Sequence, residues 1–473
     1  MRVKITSLTI FLFLLGITGY TQNETLIRIQ IHGLKDTVCM IGNYYGNNTY
    51  IKDTLKVDGS GRCTLKSKDL PGGMYILIVS EKNYCDFIIN NDRRFSMETD
   101  VTDLTGKMVI KDSPENKLFY QYLDYNKIQF KKAQELQDRI KASGENSDTA
   151  KALNDQIQVI NKALIDYKYR IIKEHPESFL TLMLKVMKEP DIKENPTLPN
   201  GKKDSTYSYR TYVAEYWDGV NLADDRILRT PVFYNKLKKY LDNVIIQTPD
   251  TIMKAINQLA ERARPNEEVF KYLIWFTTYH YESSEIMGFD RIFVNIVDTY
   301  YATGQTPWIA KSVNESIIKK ANKLRPILIG NKAPNMIMQD TSFNLVSMHS
   351  IKARYLILLF WDPECSHCEV EVPKIREFYL RDKSKYGLEI FSVCSDTSMV
   401  KMKAGIKKKN MTWINVNGPR TLTGNYHDQY DIFSTPVVYV LNEQKEIIAK
   451  RLLGDQLEQF IINYDKKLQE KKK

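Results

Sequence analysis

The stretch that most constrains this chain is RYLILLFWDPECSHC, Arg354 to Cys368, an apolar run that ends at two cysteines separated by two residues. A short apolar run bounded by polar residues reads as a buried strand, and the amphipathic text after the cysteines reads as a helix. Cys365 and Cys368 therefore stand where a strand hands over to a helix. A zinc ribbon would need a second Cys or His pair about 15–20 residues further on. The next cysteine, Cys394, stands alone, so no metal is expected. Six cysteines in 473 residues are also too few for a disulfide-built scaffold. Redox chemistry is the reading that remains. Two intervening residues put Cys365 at the first turn and Cys368 one turn on, within disulfide reach. The unpaired N–H groups and partial positive charge of a helix start favour a thiolate at Cys365. Cys368, deeper in the helix, is expected to stay a thiol until it attacks a mixed disulfide. A redox-active Cys365–Cys368 disulfide needs no other cofactor. Of the neighbours, His367 can add a donor or positive charge near the thiolate, while Glu364 acts the other way or carries a proton.

The text around this pair resembles the TlpA/DsbE-like thioredoxin family of the AhpC/TSA-redoxin superfamily. FWDPECSHCEVEVP looks like that family's active-site strand and helix, with Trp361 four residues before the first cysteine. Pro373 matches its helix-kinking proline, and IFSTPVVYVLNEQKEII matches its cis-proline strand, which sets Thr435–Pro436 against the disulfide. GNKAP, Gly330 to Pro334, resembles the usual opening, and a helix from about Ser398 to Lys409 suits the family's insertion. The resemblance covers about residues 329–465 and implies a C-terminal α/β thioredoxin fold over 326–473. Backbone groups at Thr435 would then pair with a bound polypeptide. The sequence departs from the commonest motif in carrying Ser-His between the cysteines and Asp362–Pro363 before them, which leaves the direction and potential of the reaction open.

Upstream, the chain changes character twice. From Glu24 to about Asp100, alternating apolar and polar residues are cut by Gly, Asn and Asp at roughly ten-residue spacing, the pattern of a small antiparallel β-sandwich or barrel. It occupies residues 22–113. Its Cys39, Cys63 and Cys85 are read as buried thiols, one disulfide plus a free thiol being the alternative. Residues 114–325 turn to helical periodicity and form a central all-α domain. It contains a helical hairpin around ASGENSD, and Thr230–Pro231 and Thr248–Pro249 are expected as helix starts. Tyr216, Trp217, Tyr272, Trp275, Phe276, Tyr279 and Tyr281 fall at helical spacing and are read as core. His175 and His280 have no partner at metal-ligand spacing. These two segments resemble the β-domain and the helical domain of unknown function found ahead of thioredoxin-like domains in exported bacterial proteins. The overall class is multidomain α+β.

Residues 1–21 carry Arg2 and Lys4, then an apolar run from Ile5 to Ile17, then small polar residues, the layout of a secretory signal peptide. The run is shorter than the ~20 residues of a spanning helix, and no lipid-attachment cysteine follows. An exported, periplasmic protein without a permanent membrane span is expected. The net charge of +11 is spread along the chain, which argues against a nucleic-acid partner, and Lys407 to Lys409 is read as a solvated helix face.

These features converge on an exported thiol:disulfide oxidoreductase acting on periplasmic protein thiols and disulfides. A pair kept reduced in an oxidising compartment also calls for an inner-membrane electron donor. One alternative is a peroxidase of the peroxiredoxin class, which needs a hydroxyl residue three places before the reactive cysteine, where Asp362 stands. The other is a partner-binding protein with an accessory redox domain.

Overall fold

The computed structural model describes residues 24–144 and 147–472; the expected signal peptide lies outside them. The chain divides into two compact units, residues 1–240 and 241–473, and this division falls inside the helical stretch.

In the first unit, strand formation follows from alternation. In β1 (Thr25–His32), Ile27, Ile29 and Ile31 point inward while Arg28 and Gln30 point out. The remaining strands are β2 (Thr37–Tyr45), β3 (Asn48–Val57), β4 (Arg62–Ser67), β5 (Gly73–Ser80), β6 (Asn83–Ile89), β7 (Arg94–Asp100) and β8 (Val109–Lys111). They form two four-stranded sheets, ordered β4-β1-β7-β8 and β3-β2-β5-β6, around one shared apolar core. The expected sandwich is present. Its pairing is antiparallel except between β1 and β7, which run parallel with Ile27 opposite Phe95 and Ile29 opposite Met97.

Among the described residues, five α-helices complete this unit: α1 (Pro114–Ser143), α2 (Asp148–Glu174), α3 (Phe179–Met187), α4 (Tyr207–Glu215) and α5 (Val232–Lys239). The Ser113 hydroxyl caps α1 by accepting from Asn116 N. Asn116 then acts as a strand surrogate at the edge of β6. Its Oδ1 accepts from Ile88 N at 2.7 Å and its Nδ2 donates to Ile88 O at 2.8 Å, so two buried backbone groups are satisfied by one side chain. The Thr230 cap does not form. The preceding 3₁₀ turn engages its hydroxyl, which donates to Ile227 O, and α5 starts after Pro231 without a side-chain cap.

The second unit opens with α6 (Pro249–Ala263), α7 (Glu267–Glu282), α8 (Asp290–Ile296) and α9 (Lys311–Leu324). Thr248 caps α6 as expected, accepting from Thr251 N. Two of the seven aromatics read as core are not buried. Trp275 and Tyr279 are 51% and 63% exposed. They lie one turn apart on the outer face of α7, rings parallel at 6.2 Å, while Tyr272, Phe276 and Tyr281 face inward. His280 Nε2 lies 2.7 Å from Asp242 Oδ1, and no group of three metal-ligating side chains occurs among the described residues.

The rest of this unit contains β9 (Ile337–Asp340), β10 (Leu345–Ser347), β11 (Tyr355–Trp361), α10 (Ser366–Tyr386), β12 (Leu388–Cys394), α11 (Met399–Lys409), β13 (Ile414–Thr421), α12 (Tyr426–Gln429), β14 (Val437–Asn442), β15 (Ile447–Lys450) and α13 (Gly454–Lys472). The seven strands make one mixed sheet ordered β10-β9-β13-β12-β11-β14-β15, with β11, β12 and β13 parallel. Every residue of β11 is buried, as a central strand covered on both faces requires. Tyr355, Ile357, Leu359 and Trp361 share a core with Val372 and Ile375 of α10 and Leu457 and Ile461 of α13. On the opposite face Phe360 meets Tyr426, Tyr430 and Tyr439. This is the expected C-terminal thioredoxin fold, and with the sandwich and helices it makes the chain multidomain α+β. Among the described residues no helix is long and apolar enough to cross a membrane.

Candidate functional site

β11 delivers the chain to the mouth of the sheet, and four residues after Trp361 it reaches Cys365, the N-cap of α10. In that position the Cys365 sulfur takes the part a capping oxygen normally plays. It accepts from Cys368 N at 3.2 Å, using one of the N–H groups that a helix start leaves unpaired. On its other side the thiol lies 3.2 Å from the Thr435 carbonyl, to which it donates. Thr435–Pro436 is a cis peptide immediately before β14, the strand hydrogen-bonded to β11. Cys365 is partly exposed, whereas Cys368 is fully buried.

This asymmetry separates the two sulfurs chemically. Partial burial pushes the Cys365 thiol up, but hydrogen bonds from the side chains of Cys368 and Thr435 and from the backbone N–H groups of Cys368 and His367 outweigh it and hold the thiol below its ordinary value. Burial first, and the neighbouring Cys365 second, push Cys368 up to about 12. The outer sulfur is suited to attack and the inner one to waiting as a thiol.

The charged neighbours sit differently from the simplest expectation. His367 acts on Cys365 through its backbone N–H, and its imidazole lies on the exposed face of the helix. Glu364 is turned outward to Lys401 Nζ, 2.9 Å away. The Asp362 carboxylate accepts from Glu364 N at 2.9 Å and from the Ser395 hydroxyl at 2.5 Å, so it is engaged at the end of β12. Pro373 lies inside α10, where it removes the N–H that would bond the Glu369 carbonyl. Cys394 sits opposite Trp361 in the β11–β12 register; it is buried, and burial pushes its thiol up to about 12.

One buried group beside the site was read differently from sequence. Lys409, expected on a solvated face with Lys407 and Lys408, has a side chain only 2% exposed. It pairs with Glu369, the residue after Cys368, and its Nζ stands 5.7 Å from the Trp361 ring centroid. Lys408 reaches the same carboxylate at 3.1 Å, and the two lysines hold Glu369 below the usual carboxylate range. The cause is the inner face of α11, where Met402, Gly405 and Lys409 recur at helical spacing. Gly405 is needed there because a Cβ would come within 3.0 Å of the Trp361 ring. A lysine inside a triple-lysine run looks solvated, and only the 402-405-409 spacing hints otherwise.

A dithiol that caps the first helix of a thioredoxin fold, one sulfur reachable and the other buried, defines a thiol:disulfide oxidoreductase. Residues 329–470 match the AhpC/TSA family, and residues 185–325 match a domain of unknown function, DUF5106. The C-terminal segment is an AhpC/TSA-family, thioredoxin-type oxidoreductase domain on a chain that carries additional domains. Over 141 residues the chain is 23% identical to the thiol-disulfide oxidoreductase ResA of Bacillus cereus, which covers 30% of this chain and 78% of that protein. It is 27% identical over 137 residues to ResA of Bacillus subtilis, covering 28% of this chain and 73% of the relative. A solved domain of a "possible thiol-disulfide isomerase" from Cytophaga hutchinsonii is 36% identical, covering 30% of this chain and 96% of that one, with a TM-score of 0.28.

Proposed function

We propose that this chain is exported to the periplasm and exchanges disulfides with polypeptide substrates through Cys365-Ser366-His367-Cys368. The observation that carries the reading is the position of the Cys365 sulfur, between the Cys368 N–H and the Thr435 carbonyl, each 3.2 Å away. In the reducing direction the Cys365 thiolate attacks one sulfur of a substrate disulfide, and the other leaves as a thiolate. Cys368 then gives up its proton and attacks the Cys365 sulfur, releasing the second substrate thiol. The substrate gains two electrons and two protons, and the enzyme is left with the Cys365–Cys368 disulfide. Thr435 and Pro436 would align a substrate strand by main-chain pairing. Trp361 and Pro373 would position the helix, while Glu364 and His367 would sit at the rim. Restoring the dithiol calls for electrons from a donor at the inner membrane. The apolar run from Ile5 to Ile17 supports export.

The test is the pH dependence of the first step. Reduced protein is mixed with a disulfide-bridged polypeptide and the rate of mixed-disulfide formation is followed. Because the Cys365 thiol is held low, its reactive form builds up at lower pH than that of an ordinary thiol, which is half ionised near pH ~8.5. The rate is therefore expected to level off at lower pH than the rate of a free thiol does. By the same linkage, thiolate formation adds stability to the reduced protein above the unfolded thiol value, and this is lost as pH falls through the lowered folded value. A rate that keeps climbing through pH ~9, in step with a free thiol, would overturn the reading. Faster consumption of hydrogen peroxide than of the polypeptide disulfide would favour a peroxidase.

A further inference from the structure

The first unit holds a second pair of sulfurs. Cys39 lies on β2 and Cys63 on β4, so the two belong to opposite sheets of the sandwich. Their Sγ atoms are 3.6 Å apart in the core. Both cysteines are buried; Cys63 sits opposite Ile29 on the edge strand of its sheet, and Cys39 opposite Leu55. The third cysteine of the sandwich, Cys85, is on β6 beside the Tyr120 hydroxyl.

We propose that Cys39 and Cys63 are joined by a disulfide that staples the two sheets together when the chain meets a disulfide oxidant. At 3.6 Å the sulfurs are in van der Waals contact, and a bond of about 2.05 Å requires them to close by roughly 1.5 Å, within reach of small side-chain rotations. They are already directed at one another across the sheet interface. One sulfur first exchanges with the oxidant, a low-molecular-weight disulfide such as oxidised glutathione, and one thiol of the oxidant leaves. The other cysteine sulfur then displaces the second. One S–S bond forms in the protein and one breaks in the oxidant, and two protons and two electrons pass to the two departing thiols. Because Cys63 is on an edge strand, opening of β4 gives the oxidant its access without parting the central strands.

The bond closes a loop from residue 39 to residue 63, and its effect falls on the unfolded chain, which it shortens. A rise in the melting temperature of the first unit by about 7–14 °C is expected. The presence of an oxidant in the cell rests on the export proposed above, but the bond itself does not depend on Cys365 or Cys368.

The experiment therefore uses the full chain carrying C365S and C368S, which leaves Cys39, Cys63, Cys85 and Cys394. It is refolded from urea in a glutathione redox buffer, denatured, alkylated and mapped by mass spectrometry. The expected result is a linked Cys39–Cys63 peptide pair, two hydrogen atoms lighter than its parts, with Cys85 and Cys394 alkylated. Alkylation of all four cysteines, or linkage of either residue to Cys85, would overturn the proposal. The same map of the unmutated chain answers the case in which the double variant folds poorly. A melting temperature unchanged by dithiothreitol in protein shown to be linked would overturn the stapling role, and C39A/C63A should show no dithiothreitol-dependent shift.

Discussion

Cys368→Ser halts exchange at its midpoint, so the variant accumulates as a covalent complex with its disulfide substrate, joined through Cys365. Cys365→Ser forms no such complex and loses turnover by roughly 10³-fold or more, the scale on which removing a nucleophile acts. The two outcomes differ because the two sulfurs do different work. Cys365 is the reachable one and is held low by hydrogen bonds from the Cys368 and Thr435 side chains and the N–H groups of the helix start; Cys368 is buried and pushed up to about 12, so it cannot replace the missing nucleophile from inside the helix. Non-reducing electrophoresis with a disulfide-bridged polypeptide reads both results at once. A complex formed by Cys365→Ser, or full turnover by Cys368→Ser, would contradict the assignment of roles.

Trp361→Ala is expected to destabilise the second unit by about 3–5 kcal/mol, the range for truncating a fully buried aromatic. The ring fills space that nothing else can occupy, since α11 approaches it at Gly405, and the nearly buried Lys409 stands over its face. Removing the ring would leave a cavity beside a buried ammonium group, whose one strong partner is Glu369. Protection of the β11 amides against hydrogen exchange measures the loss. The same variant should slow exchange at Cys365 as well, because Trp361 is the last β11 residue before the loop to the dithiol. A change in protection worth under about 0.5 kcal/mol, the level of a surface substitution, would show that Trp361 does not hold the site.

Much of this architecture was legible because it rests on local pattern. The seven consecutive buried residues of β11 can only be a central strand, and alternation in β1 points Ile27, Ile29 and Ile31 into the sandwich. The cysteine spacing alone implied two unlike sulfurs at one helix start. What stayed hidden depends on which neighbour arrives from far along the chain. The parallel β1–β7 pair joins segments about seventy residues apart and leaves no mark on either strand's alternation. Trp275 and Tyr279 share the spacing of core aromatics, and only the packing of α7 decides which stripe faces water. Lys409 is buried because α11 packs against Trp361, and Asn116 completes the β6 edge because α1 starts beside it. The contact between Cys39 and Cys63 likewise needs two sheets face to face before the pair exists.

Equilibrium titration of the intact chain against a glutathione or dithiothreitol redox series, with thiols trapped by acid and mapped, tests the assigned dithiol most directly. A reversible two-electron couple is expected at Cys365 and Cys368 whether or not Cys39 and Cys63 are linked, while Cys394 stays a thiol throughout. A Cys365–Cys368 pair that stays reduced across the whole series, or a reversible couple that pairs either of these residues with Cys394, would contradict this reading.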